Sequence, residues 1–127
     1  PDITVSIDIP PGARLTGDRD AFLRIASNLM RNAAHAMNGK GRIAVTRERA
    51  GGNVRVCFTD DGPGIDPNLV PTLFDPFVSG SRTGTGLGLA VVRTLCEAGG
   101  WRVHLRSAEK GTTCFCIDIP EAMWHES

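Results

Sequence analysis

The run Gly84-Thr85-Gly86-Leu87-Gly88-Leu89 is the stretch whose composition most directly suggests binding chemistry. It leads into the apolar-periodic segment from Ala90 to Ala98, which predicts a helix. Glycine lets another group approach the backbone closely, and the first N–H groups of a helix favour an anion such as phosphate. A plain turn between two elements is also compatible with the run. Its G-x-G-x-G spacing excludes both the P-loop and the G-x-G-x-x-G dinucleotide motif.

A second candidate group consists of Asn28, Asn32 and His35, which follow one another at steps of four and three. This spacing places them on one stripe of a helix. An asparagine carbonyl there could ligate Mg²⁺, a hard cation that prefers oxygen ligands. The helix alone favours the simpler alternative of a solvated polar flank, and a single histidine such as His35 is more often a surface or packing residue.

The third candidate is Asp60, which follows the predicted strand Val54 to Thr59 and opens an Asp-x-Gly-x-Gly loop. An ionised carboxylate accepts hydrogen bonds and cannot donate them. It would therefore suit the exocyclic amine of adenine and oppose the carbonyl of guanine. In isolation, an ordinary Asp-Gly turn explains the segment equally well.

The hydrophobic pattern predicts the elements that position these residues. Strand and helix periods alternate in the order strand, helix, two strands, loop with short helix, helix, two strands. The predicted ranges are Ile3 to Ile9, Asp18 or Asp20 to Met37, Ile43 to Arg49, Val54 to Phe58, Pro67 to Leu73, Ala90 to Ala98, Trp101 to Leu105 and Phe115 to Ile119. The segment Val78 to Thr83 is small and polar, which predicts mobility. Hairpins mixed with helices favour an α+β two-layer sandwich, a mixed sheet with helices packed on one face.

Length and composition restrict the class of protein. The 127 residues form one predicted domain, with 14 basic and 14 acidic residues and no net charge, which argues against nucleic-acid binding. No apolar run reaches the ~20 residues of a membrane span. The four cysteines show no Cys-x-x-Cys pairing, and Cys114 and Cys116 share a strand face with no further cysteine or histidine expected beside them. Reduced cysteines in a cytoplasmic domain are the prediction.

The order of the motifs is more specific than any one of them. The chain closely resembles the ATP-binding catalytic domain of sensor histidine kinases, within the family shared with gyrase, Hsp90 and MutL, and is most similar to the nitrogen-regulation subgroup. The matching segments are Asn28-Leu29-Met30-Arg31-Asn32-Ala33, Asp60-Asp61-Gly62-Pro63-Gly64-Ile65, Leu73-Phe74-Asp75-Pro76-Phe77 and Gly84-Thr85-Gly86-Leu87-Gly88-Leu89. The resemblance covers essentially residues 1–127 and implies the Bergerat-type ATP-binding fold.

The resemblance implies a role for each matching residue. Asn32 would ligate the Mg²⁺ that bridges the ATP phosphates, with Asn28 and His35 beside it in the catalytic site. Asp60 would bind the adenine amine, and a threonine would complete the base pocket. The remaining ATP-binding residues implied are Gly62, Gly64 and Ile65 at the base, Thr112 or Thr113 as that threonine, Phe74 and Phe77 as lid anchors, Arg82 in the lid, and Gly84, Thr85, Gly86, Leu87, Gly88 and Leu89 as hinge and phosphate-facing helix start.

One position separates the branches of this family. Relatives that hydrolyse ATP or phosphorylate serine carry a glutamate base where this chain has Asn28, and an amide cannot take a proton at neutral pH. The resemblance therefore implies transfer of the γ-phosphoryl group to a histidine, with an ATP-sensing module, a serine kinase or an ATPase as alternatives. The acceptor histidine is expected on dimerisation helices before Pro1.

The resemblance also implies the wider setting of the domain. We expect a homodimeric full-length protein and a response-regulator receiver domain as partner, with no direct contact between this domain and a membrane.

Overall fold

The computed structural model describes residues 2–76 and 88–126, without the side chain of Asp2. A five-stranded mixed sheet has the strand order β1-β3-β4-β6-β5, and a two-stranded sheet pairs β2 with β7. The strands are β1 Asp2–Asp8, β2 Arg14–Leu15, β3 Lys40–Ala50, β4 Asn53–Asp60, β5 Arg102–Ser107, β6 Thr113–Pro120 and β7 Trp124–His125. The helices are α1 Arg19–Ala36 and α2 Gly88–Gly99, with 3-10 turns at Val70–Thr72 and Glu121–Met123. The predicted α+β sandwich is thereby confirmed.

Both helices pack on one face of the sheet because their apolar residues recur every three or four positions. On α1 the buried stripe is Ile25, Leu29 and Ala33, which the buried C-cap residue Met37 continues, and on α2 it is Leu89, Val92 and Cys96. The sheet meets them with alternate residues of its central strands, including Val54, Val56 and Phe58 on β4 and Phe115, Ile117 and Ile119 on β6. No helix in the part of the chain that the structure describes is long and apolar enough to span a bilayer.

Local chemistry fixes both ends of α1. The Asp18 carboxylate accepts a hydrogen bond from the Ala21 N–H at 3.1 Å, which is an N-cap. At the other end Asn38 takes a left-handed φ of 55°, and the Gly39 N–H donates to the Ala34 carbonyl at 2.9 Å. This is a Schellman ending, and it stops the helix at the predicted Asn38-Gly39 pair.

Several expectations differ from the structure. Val5 and Ile7, expected on a half-buried face, are 40% and 68% exposed, because β1 is an edge strand that pairs only with β3. The short helix predicted over Pro67 to Leu73 is a single 3-10 turn. The β2–β7 sheet was not predicted, since two-residue strands carry no periodic signal.

The expectation about the cysteines was also wrong. Cys114 and Cys116 do have a cysteine partner, because β4 lies beside β6 and pairs Cys57 with Cys116. The three form a buried cluster separate from the main core. All four cysteines are free thiols, as predicted.

Candidate functional site

The carboxylate of Asp60 lies at the end of β4 and is only 6% exposed. Its Oδ1 accepts a hydrogen bond from the Gly62 N–H at 2.9 Å. Burial raises the pKa of this carboxyl, and the Gly62 hydrogen bond partly opposes that effect by favouring the ionised form. A buried carboxylate with few donors is costly to keep in the fold, which is typical of a group retained for binding.

The neighbouring Asp61 has a different environment. It is exposed, and its Oδ1 accepts the Arg42 N–H at 2.9 Å, while its own N–H donates to the Arg42 carbonyl. Asp61 therefore fastens the loop to the start of β3. Of the two adjacent acids, Asp60 is the one that points into the fold.

Thr113 lies directly opposite Asp60 in the register of β4 and β6 and is 5% exposed. Its hydroxyl donates to the Glu109 carbonyl at 3.4 Å. Thr112, in contrast, is exposed in the turn before the strand. Of the two threonines that the sequence left as alternatives, the geometry favours Thr113 as the partner of Asp60.

The glycines of the Asp60 loop are required by close backbone packing. Gly64 has φ +86°, and a Cβ there would lie 2.6 Å from the Ala108 carbonyl oxygen. The next residue, Ile65, donates its N–H to that same carbonyl at 2.9 Å. A Cβ on Gly62 would lie 2.8 Å from Asp60 Oδ1. The loop thus packs against the turn before β6 with no space for larger residues.

The Asn28, Asn32 and His35 stripe lies on α1, beside its buried face. Asn28 and Asn32 are half-buried, whereas His35 is exposed. The side-chain amide oxygen of Asn28, Oδ1, accepts a hydrogen bond from the Arg31 guanidinium at 3.4 Å. Arg31 is a cation that the sequence reasoning missed, although its position three residues after Asn28 is the signal that could have identified it.

A surface depression of about 300 Å³ lies where the end of α1 meets the Asp60 loop. Both lysines of the chain line it, Lys40 and Lys110, together with Asp61 and Gly62. It opens beside Ala36, about 12 Å along the helix axis from Asn28 at 1.5 Å per residue. The depression that the lysines line therefore lies beside the Asp60 loop and away from Asn28.

The Phe74 corner is joined to both layers of the fold. The Phe74 ring packs edge-to-face on Phe115 of β6 with centroids 5.9 Å apart. Asp75 accepts a hydrogen bond from Arg93 of α2 at 3.4 Å. Gly88 is the first residue of α2, and Leu89 is buried in the core. The other predicted site residues, Phe77, Arg82, Gly84, Thr85, Gly86 and Leu87, and the segment Val78 to Thr83, lie outside the described residues.

A nucleotide-binding α+β sandwich is the class that this fold and site indicate, and comparison with known proteins identifies the family. Residues 17–123 match the family described as histidine kinase-, DNA gyrase B-, and HSP90-like ATPase. The chain belongs to this ATPase family, as the sequence motifs predicted.

The relatives are sensor histidine kinases. The sensory histidine kinase/phosphatase NtrB of Rhodobacter capsulatus is 39% identical over 84% of this chain and 33% of its own length. Sensor histidine kinase ZraS of Salmonella typhimurium is 35% identical, over 84% of this chain and 23% of its own. The chain thus spans one third or less of these curated relatives.

Solved structures agree with this assignment. The mycobacterial sensor histidine kinase MprB superposes with a TM-score of 0.77 at 30% identity, covering 94% of this chain and 82% of that one. The nucleotide-free catalytic domain of histidine kinase ThkA superposes with a TM-score of 0.76 at 30% identity, covering 94% of this chain and 78% of that one. Full-length ShkA in complex with AMPPNP superposes with a TM-score of 0.73 at 28% identity, covering 94% of this chain and 25% of that one.

The packing of the Asp60 loop generates a prediction that separates backbone strain from site geometry. Gly64→Ala and Gly52→Ala both place alanine at a positive φ, +86° and +82°, but only Gly64 lacks room for a Cβ. We expect Gly52→Ala to lower the free energy of unfolding by about 1–3 kcal/mol, the usual cost of such strain, without changing affinity for an ATP analogue. Gly64→Ala should lower the free energy of unfolding further than Gly52→Ala does. It should also weaken affinity for the ATP analogue at least about tenfold, because the new Cβ would push the loop away from the Ala108 carbonyl.

Chemical denaturation and titration calorimetry measure the two quantities. Equal effects of the two substitutions on affinity would contradict a site role for the loop.

Proposed function

We propose that this chain is the catalytic domain of a histidine kinase, which binds Mg²⁺-ATP and transfers the γ-phosphoryl group to a histidine on a separate phosphoacceptor domain. The observation that carries the proposal is the buried Asp60 carboxylate. Its Oδ1 accepts the Gly62 N–H at 2.9 Å, and we assign the other oxygen, Oδ2, to the ligand. A ligand that donates to this oxygen would offset the cost of burying the charge.

Adenine has a suitable donor in its exocyclic amine. In the proposed complex this amine donates to Asp60, and Thr113 borders the base on the neighbouring strand. Gly62 and Gly64 let the base lie against backbone, with Ile65 beside them. The complex of the structural neighbour ShkA with AMPPNP supports the choice of an adenine nucleotide.

The residues present fit a magnesium ion. Asn28 and Asn32 offer amide oxygens one helical turn apart on a half-buried face, and Mg²⁺ prefers such oxygen ligands. Asn32 would hold the ion, which supplies neutralisation of phosphate charge when bound. In this proposal His35 lies at the end of the same stripe, and the Arg31 guanidinium adds a positive charge beside Asn28.

The chemistry at Asn28 favours a histidine acceptor. An amide cannot remove a proton from water or a hydroxyl at neutral pH. Neutral imidazole needs no such base, because its unprotonated nitrogen carries a lone pair that can attack phosphorus directly. A bond then forms between that nitrogen and the γ-phosphorus as the bond to the bridging oxygen breaks, and ADP leaves. The acceptor helices, the homodimer they form, and a response-regulator receiver domain are the partners that this reaction implies.

Substitution of Asp60 itself tests the adenine contact. Asp60→Asn should weaken binding of a non-hydrolysable ATP analogue at least about tenfold, because a charge-assisted hydrogen bond is worth about 1.5–3 kcal/mol. The fold should survive, since an asparagine carbonyl can still accept the Gly62 N–H.

The sign of the stability change follows from the pKa. The pKa of Asp60 is raised by burial, so its ionisation destabilises the fold as pH rises above the usual aspartate pKa of about 3.9 towards the raised value. Asp60→Asn should therefore leave the free energy of unfolding at pH 7 equal or higher. The exposed neighbour gives the matched control, since Asp61→Asn should leave affinity nearly unchanged. Unchanged affinity in Asp60→Asn would exclude the adenine contact.

Labelled ATP tests the proposed reaction. Mixed with γ-labelled ATP, Mg²⁺ and the acceptor helices of its own full-length protein, the domain should produce an acid-labile, alkali-stable phosphohistidine. Binding of ATP without label transfer would make the domain an ATP-sensing module. Steady ATP turnover by the domain alone, or an alkali-labile phosphoserine, would favour the ATPase or serine-kinase alternative.

A further inference from the structure

Three cysteines meet on the face of the sheet opposite the helices. Cys57 of β4 pairs with Cys116 of β6, and Cys114 precedes Cys116 by two residues on the same face. The three side chains are 3%, 6% and 0% exposed for Cys57, Cys114 and Cys116. Because Cys57 is distant in sequence from the other two, the sheet register creates the cluster.

The three sulfur atoms lie close to one another. Cys114 Sγ is 3.7 Å from Cys116 Sγ, Cys57 Sγ is 2.7 Å from Cys116 Sγ, and all three lie within 4.8 Å of one another. An ion with sulfur ligands at about 2.3 Å places those ligands about 3.8–4.0 Å apart in tetrahedral or trigonal geometry. Cys114 and Cys116 already have about this spacing, and a rotation of the Cys57 side chain that moves its sulfur about 1 Å away from Cys116 would bring that pair to it.

Polar groups contact two of the three sulfurs, and the Cys57 thiol also donates to the Glu48 carboxylate at 3.8 Å. The Arg106 guanidinium lies 3.7 Å from Cys57 Sγ and also contacts Glu48. The Thr59 hydroxyl donates to Cys114 Sγ at 3.2 Å. Positive charge and hydrogen-bond donors stabilise the ionised form of a cysteine. The remaining cysteine, Cys96, lies instead in the apolar core under α2, where a thiol serves as a small hydrophobic side chain.

The number of ligands indicates which ion is preferred. Thiolates select Cu⁺ and Zn²⁺ among common metals, and structural zinc takes four protein ligands. Among the described residues, Glu48 comes within 3.8 Å of Cys57 Sγ, but no histidine, aspartate or glutamate lies within 4.8 Å of all three sulfurs. We propose that Cys57, Cys114 and Cys116 form a three-thiolate site for Cu⁺. Binding releases the thiol protons to solvent, and Arg106 offsets part of the negative charge of the loaded site.

This proposal is independent of the proposed kinase function, and its test uses metal alone. The reduced domain, held without oxygen, competes for Cu⁺ with the coloured chelator bicinchoninate. We expect wild type to withdraw one Cu⁺ per chain, and Cys114→Ser or Cys116→Ser to bind at least about tenfold more weakly. Cys96→Ala is the matched control, since it removes a buried thiol outside the cluster and should bind like wild type.

Folding is measured separately, so that loss of metal binding can be told apart from loss of structure. Circular dichroism reports whether each variant is folded, and Cys57→Ser provides the same test if Cys116→Ser does not fold. X-ray absorption at the copper edge should show sulfur ligands alone. The proposal is overturned if reduced wild type withdraws no Cu⁺, if folded cluster variants compete as well as wild type, if Cys96→Ala loses the metal, or if Zn²⁺ displaces Cu⁺ from the protein.

Discussion

A carboxylate buried at the end of a central strand is the constraint on which the rest of this site depends. Asp60 is 6% exposed, and its carboxylate accepts a hydrogen bond from the Gly62 N–H at 2.9 Å. Burying such a charge is costly unless it is hydrogen-bonded, and the residues around it shape the space in which a further donor could bind. Gly62, Gly64 and Thr113 are these residues, and each is fixed by the β4–β6 register or by contact with the turn at 108–111.

Much of this arrangement could be predicted from the sequence because it follows from local signals. The apolar stripe of α1 has a helical period, and Asn38-Gly39 is a local stop signal. The order of the four motifs along the chain is specific enough to indicate the family. The choice between Thr112 and Thr113 could not be made, because it depends on which threonine lies opposite Asp60 once β6 pairs with β4.

What the sequence could not show depends on pairing between distant strands. Cys57 lies 59 residues from Cys116 along the chain, and only their register brings the two thiols together. The exposure of Ile7 follows from the place of β1 at the sheet edge, which alternation alone does not reveal. Arg31 was missed for another reason, because a charged residue on a helix surface is usually just a solvated side chain. Its hydrogen bond to Asn28 is what places it among the candidate site residues.

The central claim is that Asp60 recognises the exocyclic amine of adenine. Hypoxanthine has a carbonyl in place of that amine and a hydrogen on N1, so non-hydrolysable ATP and ITP analogues differ along the base edge that would face Asp60. Titration calorimetry at neutral pH should show the adenine analogue binding at least about tenfold more tightly to wild type, since an unpaired buried acceptor costs about 1–3 kcal/mol. In Asp60→Asn, whose side-chain amide can donate, the preference should shrink or reverse. Equal affinity of wild type for the two analogues would contradict the account.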